Sequence, residues 1–263
     1  PMLPEVLSNG ICSLQPQVPR LVKTAFIEYD GNAKITNTTF ANAIIESNHR
    51  LTYLEAQALI DGDRKLAKKH QVYDLPYSDE LVEAVQMLDE LAKAIRKRRY
   101  ADGMISLDLP EVELVFDDDG HVIDANPEDD AFTHKIIEAF MVEANEAVAA
   151  VFADLDVPLL RRIHPDPSTH DTDELRRFAR VAGYNVPSNP SRKELQAVLE
   201  ATRGKPAAKA VHLAVLKTLT KAEYSPQLIG HFALASEHYA HFTSPIRRYP
   251  DLTVHRALEA LLE

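Results

Sequence analysis

The apolar stripe of the stretch Ala131–Phe152 constrains the fold more than any other feature of the sequence. Apolar residues recur at the three- and four-residue spacing of a helix, at Ile136, Ile137, Phe140, Met141, Ala144, Val148 and Val151. Such a helix is stable in water only when its apolar side is covered by another layer of structure. The sequence therefore predicts a core helix inside a layered domain.

The other patterns predict a mixed α and β fold. Leu21–Ile45 and Met104–Ile123 alternate apolar and polar residues around Asp-Gly turns, which is typical of β-hairpins. Capping signals and helical apolar spacing predict further helices, which begin after Thr52, after Ser78, at Asp171, after Ser191, at Ala207 and at Ile246 or Arg247. The expected fold class is α+β: one mixed sheet containing both hairpins, the Ala131–Phe152 helix packed on it, and a helix-rich second half.

Composition limits the class of protein further. The chain has 263 residues, of which 45% are hydrophobic, so it has enough apolar surface to bury a core. No run approaches the roughly 18 apolar residues of a membrane span, and the first residues do not resemble a signal peptide. The single cysteine, Cys12, favours a reducing, cytoplasmic setting. The start at Pro1-Met2 suggests that the gene product begins further upstream.

The charge distribution gives two opposing indications about nucleic acid. A net charge of −11 argues against a polyanionic partner. The basic residues are nevertheless grouped in short islands, at 64–70, 96–99, 161–162 and 247–248, apart from the acidic groups at 117–119 and 128–130. A local basic channel within an acidic protein and a set of solvated helix faces are both compatible with this pattern.

The run Tyr239–Arg256, YAHFTSPIRRYPDLTVHR, concentrates residues that bind anions. It combines arginine, histidine, tyrosine and hydroxyl side chains around two prolines. The guanidinium groups of Arg247 and Arg248 have the forked geometry that binds phosphate through two hydrogen bonds. The residue types alone are equally compatible with a polar loop that leads into a final helix.

The run also resembles the signature of the ribonuclease II/ribonuclease R family, and three other blocks resemble that family in the same order. These blocks are PMLPEVLSNGICSL at Pro1–Leu14, RLTYLEAQ at Arg50–Gln57 and HKIIEAFMVEANEAVA at His134–Ala149. Together the four blocks cover essentially the whole chain. The SPIRRYPDL segment is more similar to the ribonuclease R branch than to the ribonuclease II branch.

The resemblance implies that residues 1–263 form part of an RNB-type exoribonuclease catalytic domain. The family activity is processive 3′→5′ hydrolysis of single-stranded RNA to nucleoside 5′-monophosphates, with Mg²⁺ held at an aspartate cluster. The implied partners are single-stranded RNA, the remainder of the catalytic domain and flanking oligonucleotide-binding domains, with no membrane. A different class of function also remains open, namely a non-catalytic RNA-binding or scaffold module with the same fold.

Motif matches imply roles for six residues of this chain. Arg247 is the residue expected to contact the scissile phosphate and to stabilise the transition state. Five other residues are expected to bind RNA, namely Tyr53, Glu138, His241, Ser244 and Arg248. Glu138 and Asn145 lie on one helix face, so the pair could line the same cavity. Structural alternatives remain: an internal salt bridge for Arg247, a hydrophobic staple for Tyr53 and an arginine partner for Glu138.

Two departures from the family pattern affect these expectations. Several relatives have a base-stacking phenylalanine at the position of Leu107, and a leucine cannot stack in the same way. The Asp-rich metal motif is absent, and the 117–119 aspartates match a hairpin turn instead of that motif. We therefore expect no catalytic metal ligand in this chain and no Mg²⁺-dependent activity from the chain in isolation.

Overall fold

The computed structural model describes most of the chain, namely residues 2–107, 109, 112–117, 119–127, 131–167 and 172–263. The acidic stretch 128–130 and the predicted helix start at Asp171 lie outside these residues. Within the described ranges, the structure contains no helix long and apolar enough to cross a bilayer.

The fold is α+β, as predicted. Its helices are α1 (Tyr53–Ile60), α2 (Arg64–His70), α3 (Asp79–Asp102), α4 (Phe132–Asp154), α5 (Thr172–Val181), α6 (Arg192–Thr202), α7 (Ala208–Thr218) and α8 (Tyr249–Leu262). Its strands are β1 (Pro19–Tyr29), β2 (Ile35–Glu46), β3 (Val112–Phe116), β4 (Val122–Pro127), β5 (Arg161–Ile163) and β6 (Glu223–Ser225). A π-helical turn and a 3-10 turn complete the described elements, over Val6–Ile11 and Phe232–Leu234.

Local signals in the sequence set the helix starts as predicted. Thr52 and Glu55 form a reciprocal capping box at the start of α1, and Ser191 and Glu194 form another at α6. The Ser78 hydroxyl accepts a hydrogen bond from the backbone N–H of Leu81 at the start of α3. These interactions satisfy N–H groups that have no partner inside the helix.

The predicted core helix is α4, and it lies between two other helices. Its C-terminal half packs with α8 and the Phe40 ring of β2, and the buried residues of this cluster are Val148, Ala149, Phe152, Leu159, Ala240, Phe242, Val254 and Leu258. Its N-terminal half packs with α3, where the buried residues are Ala33, Ala92, Ile95, Ile136 and Ala139. The apolar stripe is therefore covered largely by helices.

The prediction of one mixed sheet is wrong. Both predicted hairpins form, but β1–β2, β3–β4 and β5–β6 are three separate two-stranded antiparallel sheets. The prediction assumed that only a shared sheet could cover α4. Helices α3 and α8 cover much of the apolar surface of α4. The β1–β2 sheet therefore packs against α4 without pairing to β3–β4.

The second hairpin also begins later than predicted. Residues 104–107 form no strand, and the backbone N–H of Ile105 donates to the carbonyl of Ala233 at 2.8 Å. Ile105 and Leu107 pack against a second core, formed by the buried residues Leu175, Ala179, Val186, Leu195, Val198, Leu199, Val211, Ala214, Val215 and Phe232. The apolar residues of this segment pack against α5, α6 and α7, so their alternation does not indicate a strand.

A buried ionic network joins α3 to α4. Glu143 is completely buried, and its Oε1 accepts hydrogen bonds of 2.6 Å from Arg98 Nη2 and from Arg99 Nε. Arg99 also forms an ion pair with Glu146, and Arg98 donates to the carbonyl of Ala33 at 2.5 Å. The basic island at 96–99 therefore has a structural role at Arg98 and Arg99.

Removing Glu143 tests this network. We expect Glu143→Ala to lower the free energy of unfolding by about 3 kcal/mol or more, because it leaves buried arginine charge without its main partner. Glu138→Ala on the same helix is the control. It removes a half-exposed carboxylate, so its cost should stay below about 1 kcal/mol. Urea unfolding followed by circular dichroism measures both, and equal losses would contradict a stabilising role for the network.

Candidate functional site

Asn145 of α4 fixes the loop that contains most of the predicted site residues. Its Oδ1 accepts hydrogen bonds from the backbone N–H groups of Phe242 at 2.8 Å and Thr243 at 3.2 Å. Its Nδ2 donates to the hydroxyl of Tyr239 at 3.0 Å. Burial raises the pKa of Tyr239, so this phenol stays protonated. Asn145 is itself buried and anchors the loop through these bonds.

Asp251 fixes the other end of the loop. Its carboxylate is completely buried in the first turn of α8. Oδ1 accepts from the backbone N–H of Ser244 at 2.8 Å and from Arg248 Nη2 at 2.8 Å, while Oδ2 accepts from Arg248 Nε at 2.9 Å. The guanidinium of Arg248 is thereby held in a forked ion pair inside the protein.

His255 of α8 contacts the loop at Phe242. Its ring stacks on Phe242, with the centroids 4.6 Å apart, and its Nε2 lies 2.8 Å from the carbonyl oxygen of Phe242. Burial lowers the pKa of His255, which favours the neutral ring. Three side chains from two helices therefore hold the loop through its backbone and leave its exposed side chains available.

Arg247 is one of those exposed side chains. Among the described residues, its guanidinium has no hydrogen-bond or ion-pair partner, so the salt bridge considered from the sequence does not form there. Arg248, the next residue, is already neutralised by Asp251. The two arginines therefore differ in the fold: Arg248 is paired with Asp251, and Arg247 has no partner among the described residues.

His241 begins the same loop and is linked to β6. The hydroxyl of Tyr224 lies 2.7 Å from His241 Nδ1, and the two rings meet edge to face with centroids 5.6 Å apart. Burial, followed by the charge of Arg248, lowers the pKa of His241 to about 4. The ring is therefore neutral at pH 7 and able to donate one hydrogen bond and to accept another.

Tyr53 and Glu138 form a second group near the start of α4. The exposed Tyr53 ring stacks on His134 with centroids 3.8 Å apart, and its carbonyl accepts from the Thr133 hydroxyl at 2.8 Å. Glu138 is one helical turn beyond His134 and forms ion pairs of 3.2 Å with Lys135 and 3.9 Å with Arg96. The arginine partner considered for Glu138 is therefore present, and Tyr53 packs on a histidine instead of forming a hydrophobic staple.

Both groups are attached to α4, at different points of the helix. Glu138 belongs to α4, and Asn145, which anchors the loop with Arg247, follows it by seven residues, about 10 Å along the helix axis. One group offers stacked rings and a carboxylate. The other offers the exposed guanidinium of Arg247 and a neutral histidine.

The described residues do not provide a suitable catalytic metal site. Their one group of three potential ligands is Asp117, Asp119 and His121, all exposed in the β3–β4 turn. Asp117 Oδ1 already accepts hydrogen bonds from the backbone N–H groups of Asp119 at 3.0 Å and His121 at 2.8 Å. This is the geometry of a side-chain-capped turn, as the sequence predicted.

Sequence reasoning missed the anchoring role of Asp251. A usable signal was present, since an acidic residue three positions after Arg248 in the first turn of a helix is a common partner for residues that precede the helix. The contact between Tyr224 and His241 had no such signal, because the two residues meet only after β6 has paired with β5.

Comparison with known proteins places the chain in a family. Residues 1–263 match the RNB domain family. The chain is 39% identical over 263 residues to ribonuclease R of Aquifex aeolicus and 36% identical over 266 residues to ribonuclease R of Escherichia coli K12. These alignments cover 99% and 100% of this chain, but 36% and 32% of the two relatives.

The solved structures agree with the sequence comparison. The structure of Mycoplasma genitalium RNase R in complex with ribose methylated single-stranded RNA matches 98% of this chain with a TM-score of 0.89 and 31% identity, over 39% of its own length. The chain belongs to the RNB domain family. Its curated relatives carry the name ribonuclease R, which confirms the resemblance predicted from the four sequence blocks. The chain spans about a third of the length of those two relatives.

The anchoring role of Asn145 leads to a stability prediction. Asn145→Leu fills a similar volume but leaves two buried backbone N–H groups without their acceptor, so we expect a loss of roughly 2–4 kcal/mol. Asn37→Leu on the exposed surface of β2 is the control and should change stability by at most about 0.5 kcal/mol. Thermal melting and urea titration measure both. A change of Asn145→Leu no larger than the control would show that the loop does not depend on this anchor.

Proposed function

We propose that this chain is part of the catalytic domain of a 3′→5′ exoribonuclease that hydrolyses single-stranded RNA to nucleoside 5′-monophosphates. The observation that carries the proposal is the exposed guanidinium of Arg247, which has no partner in the part of the chain that the structure describes, on a loop whose backbone is fixed by Asn145 and Asp251. A guanidinium on a fixed backbone, without a carboxylate partner among the described residues, is suited to holding a phosphate in an otherwise acidic protein.

The proposed role of Arg247 is to stabilise charge on the scissile phosphate. Negative charge moves among the phosphate oxygens as the ester bond breaks, and a preorganised guanidinium stabilises that charge without having to reorganise. The anchored loop supplies the preorganisation. In this proposal Ser244 and His241, on the same loop, contact the neighbouring RNA, while Arg248 acts mainly by positioning the loop through Asp251.

The group around Tyr53 is proposed to hold the 3′-terminal nucleotide. An exposed tyrosine ring stacks on a base, and the carboxylate of Glu138 accepts hydrogen bonds from ribose hydroxyls. The stack of Tyr53 on His134 keeps the ring in one orientation. The relative from Mycoplasma genitalium is described in complex with single-stranded RNA, which supports RNA as the partner of this chain too.

The Mg²⁺ of the proposed reaction would be bound by residues outside this chain, since the described residues offer only the capped turn at Asp117. The remainder of the catalytic domain and the flanking oligonucleotide-binding domains would complete the enzyme, which we place in the cytoplasm.

The first test changes the guanidinium of Arg247. In the full-length protein, Arg247→Lys keeps the charge but loses the fork, so we expect single-turnover cleavage to slow by about 10²-fold, roughly 3 kcal/mol, with a smaller effect on RNA affinity. Arg203→Lys, on the exposed end of α6, is the matched control and should leave the rate unchanged. Cleavage of a labelled single-stranded RNA, RNA affinity and thermal melting are measured for each variant.

Two outcomes would overturn the assignment of Arg247. One is a normal cleavage rate for Arg247→Lys, and the other is a rate loss fully explained by a lowered melting temperature. Arg248→Lys provides a contrast, because it loses the fork to Asp251. We expect it to lower the melting temperature and to slow cleavage less than Arg247→Lys does.

A second test concerns the metal. The purified 263-residue chain should not degrade RNA when Mg²⁺ is added, whereas the full-length protein should release nucleoside 5′-monophosphates. Mg²⁺-dependent degradation by the rigorously purified chain would show that the metal ligands lie within it. RNA binding without degradation by the full-length protein would instead favour the non-catalytic RNA-binding or scaffold module.

A further inference from the structure

Two residues that the proposed mechanism does not use, Arg162 and Tyr224, lie beside the Arg247 loop. They are directly opposite partners in the β5–β6 pair. The guanidinium carbon of Arg162 lies 4.7 Å from the centroid of the Tyr224 ring, which is a cation–π arrangement. The Tyr224 residue keeps 39% of its surface exposed. The pair is therefore accessible to a ligand.

The pair is joined to the Arg247 loop by two contacts. The Tyr224 hydroxyl lies 2.7 Å from His241 Nδ1, and the backbone N–H of Arg162 donates to the carbonyl of Tyr239 at 3.0 Å. Both contacts reach the segment that leads directly into the loop. His241 is the common neighbour, because the charges of Arg162 and Arg247 both lower its pKa.

The neighbouring arginine shows what a structural role looks like at this position. Arg161 is buried, and its Nη1 donates to the carbonyl of Ala149 at 3.1 Å. Arg162 is only half-buried and, within the described part of the chain, its guanidinium makes no hydrogen bond or ion pair. A purely structural arginine would be expected to donate to an acceptor of this kind.

Several charged side chains affect the pKa of His241. Besides burial, the charges of Arg248, Arg162 and Arg247 lower the pKa of His241, and the carboxylate of Asp251 raises it. Asp251 is paired with Arg248, whereas the described residues offer no ion-pair partner to Arg162 or Arg247. When Nδ1 of a neutral His241 accepts a hydrogen bond from the Tyr224 hydroxyl, the ring proton is on Nε2, which is then a hydrogen-bond donor.

We propose that Arg162 and His241 Nε2 bind a second backbone phosphate of the RNA, next to the phosphate held by Arg247, and that Tyr224 positions both groups. This inference rests on the proposed function. It assigns Arg162 as a phosphate-binding residue and Tyr224 as a positioning residue, which holds the guanidinium through its ring and the histidine through its hydroxyl. Arg162 and His241 would increase the affinity for the RNA backbone, and contacts to the backbone do not distinguish one base from another.

The test measures the affinity of the full-length protein for a fluorescein-labelled single-stranded RNA, without Mg²⁺, over a range of salt concentrations. Arg162→Gln should weaken binding about tenfold and reduce the slope of log Kd against log salt by about 0.7, the value for one phosphate contact on a single strand. Tyr224→Phe should weaken binding less and leave the slope unchanged, because the cation remains. Arg203→Gln, a charge-matched control on α6, should leave both quantities as in the wild type.

A second measurement needs no variant, so it decides the matter even if Arg162→Gln fails to fold. Ultraviolet cross-linking of the wild-type protein to oligouridylate, followed by mass spectrometry, should identify a cross-link at Tyr224. Two results would overturn this inference and leave the proposed function standing. One is wild-type protein that binds RNA but gives cross-links only outside 221–241. The other is a folded Arg162→Gln variant with wild-type affinity and salt slope. Failure of the wild-type protein to bind RNA would instead refute the proposed function.

Discussion

Burial of α4 determines which elements can surround it, because its buried polar groups must find partners inside the protein. An unpaired carboxylate or amide in a low-dielectric interior is costly, so Glu143 and Asn145 restrict the neighbours of the helix as strongly as its apolar stripe does. Oε1 of Glu143 accepts hydrogen bonds from two arginines of α3, and Oδ1 of Asn145 accepts from the backbone of the Phe242–Thr243 segment. Structural stability and the position of the candidate site therefore depend on the same helix.

The arginines of this protein differ in whether their guanidinium groups already have an acceptor inside the protein. Arg99, Arg161 and Arg248 are all occupied by buried or half-buried acceptors. Over the described ranges, the guanidinium groups of Arg162 and Arg247 have no such acceptor, and the charges of both arginines lower the pKa of His241. An overall charge of −11 therefore does not prevent a local site for a polyanion, because Coulomb interactions at contact distance outweigh those of distant, screened carboxylates.

The elements that were predicted correctly depend on short-range interactions. Both capping boxes and both hairpins involve residues close together in the chain, where rules of spacing apply directly. The single mixed sheet was wrong because strand pairing between distant hairpins competes with helix packing, and α3 and α8 covered much of the stripe of α4. The strand prediction for residues 104–107 was wrong for a related reason. Alternation of apolar and polar residues indicates burial on one side, and here the buried side faces helices.

The sequence by itself determined the family, the main helices and the loop that would contain the candidate phosphate contact. Specific residue types at fixed spacing are visible in one dimension, and Tyr239–Arg256 needed no partner to be identified. Only the tertiary structure decided that Arg248 is paired with Asp251 while Arg247 has no ion-pair partner among the residues described. It also brought Arg162 and Tyr224 to His241. The availability of a charge depends on distances to groups far away in the chain, and those distances exist only once the chain has folded.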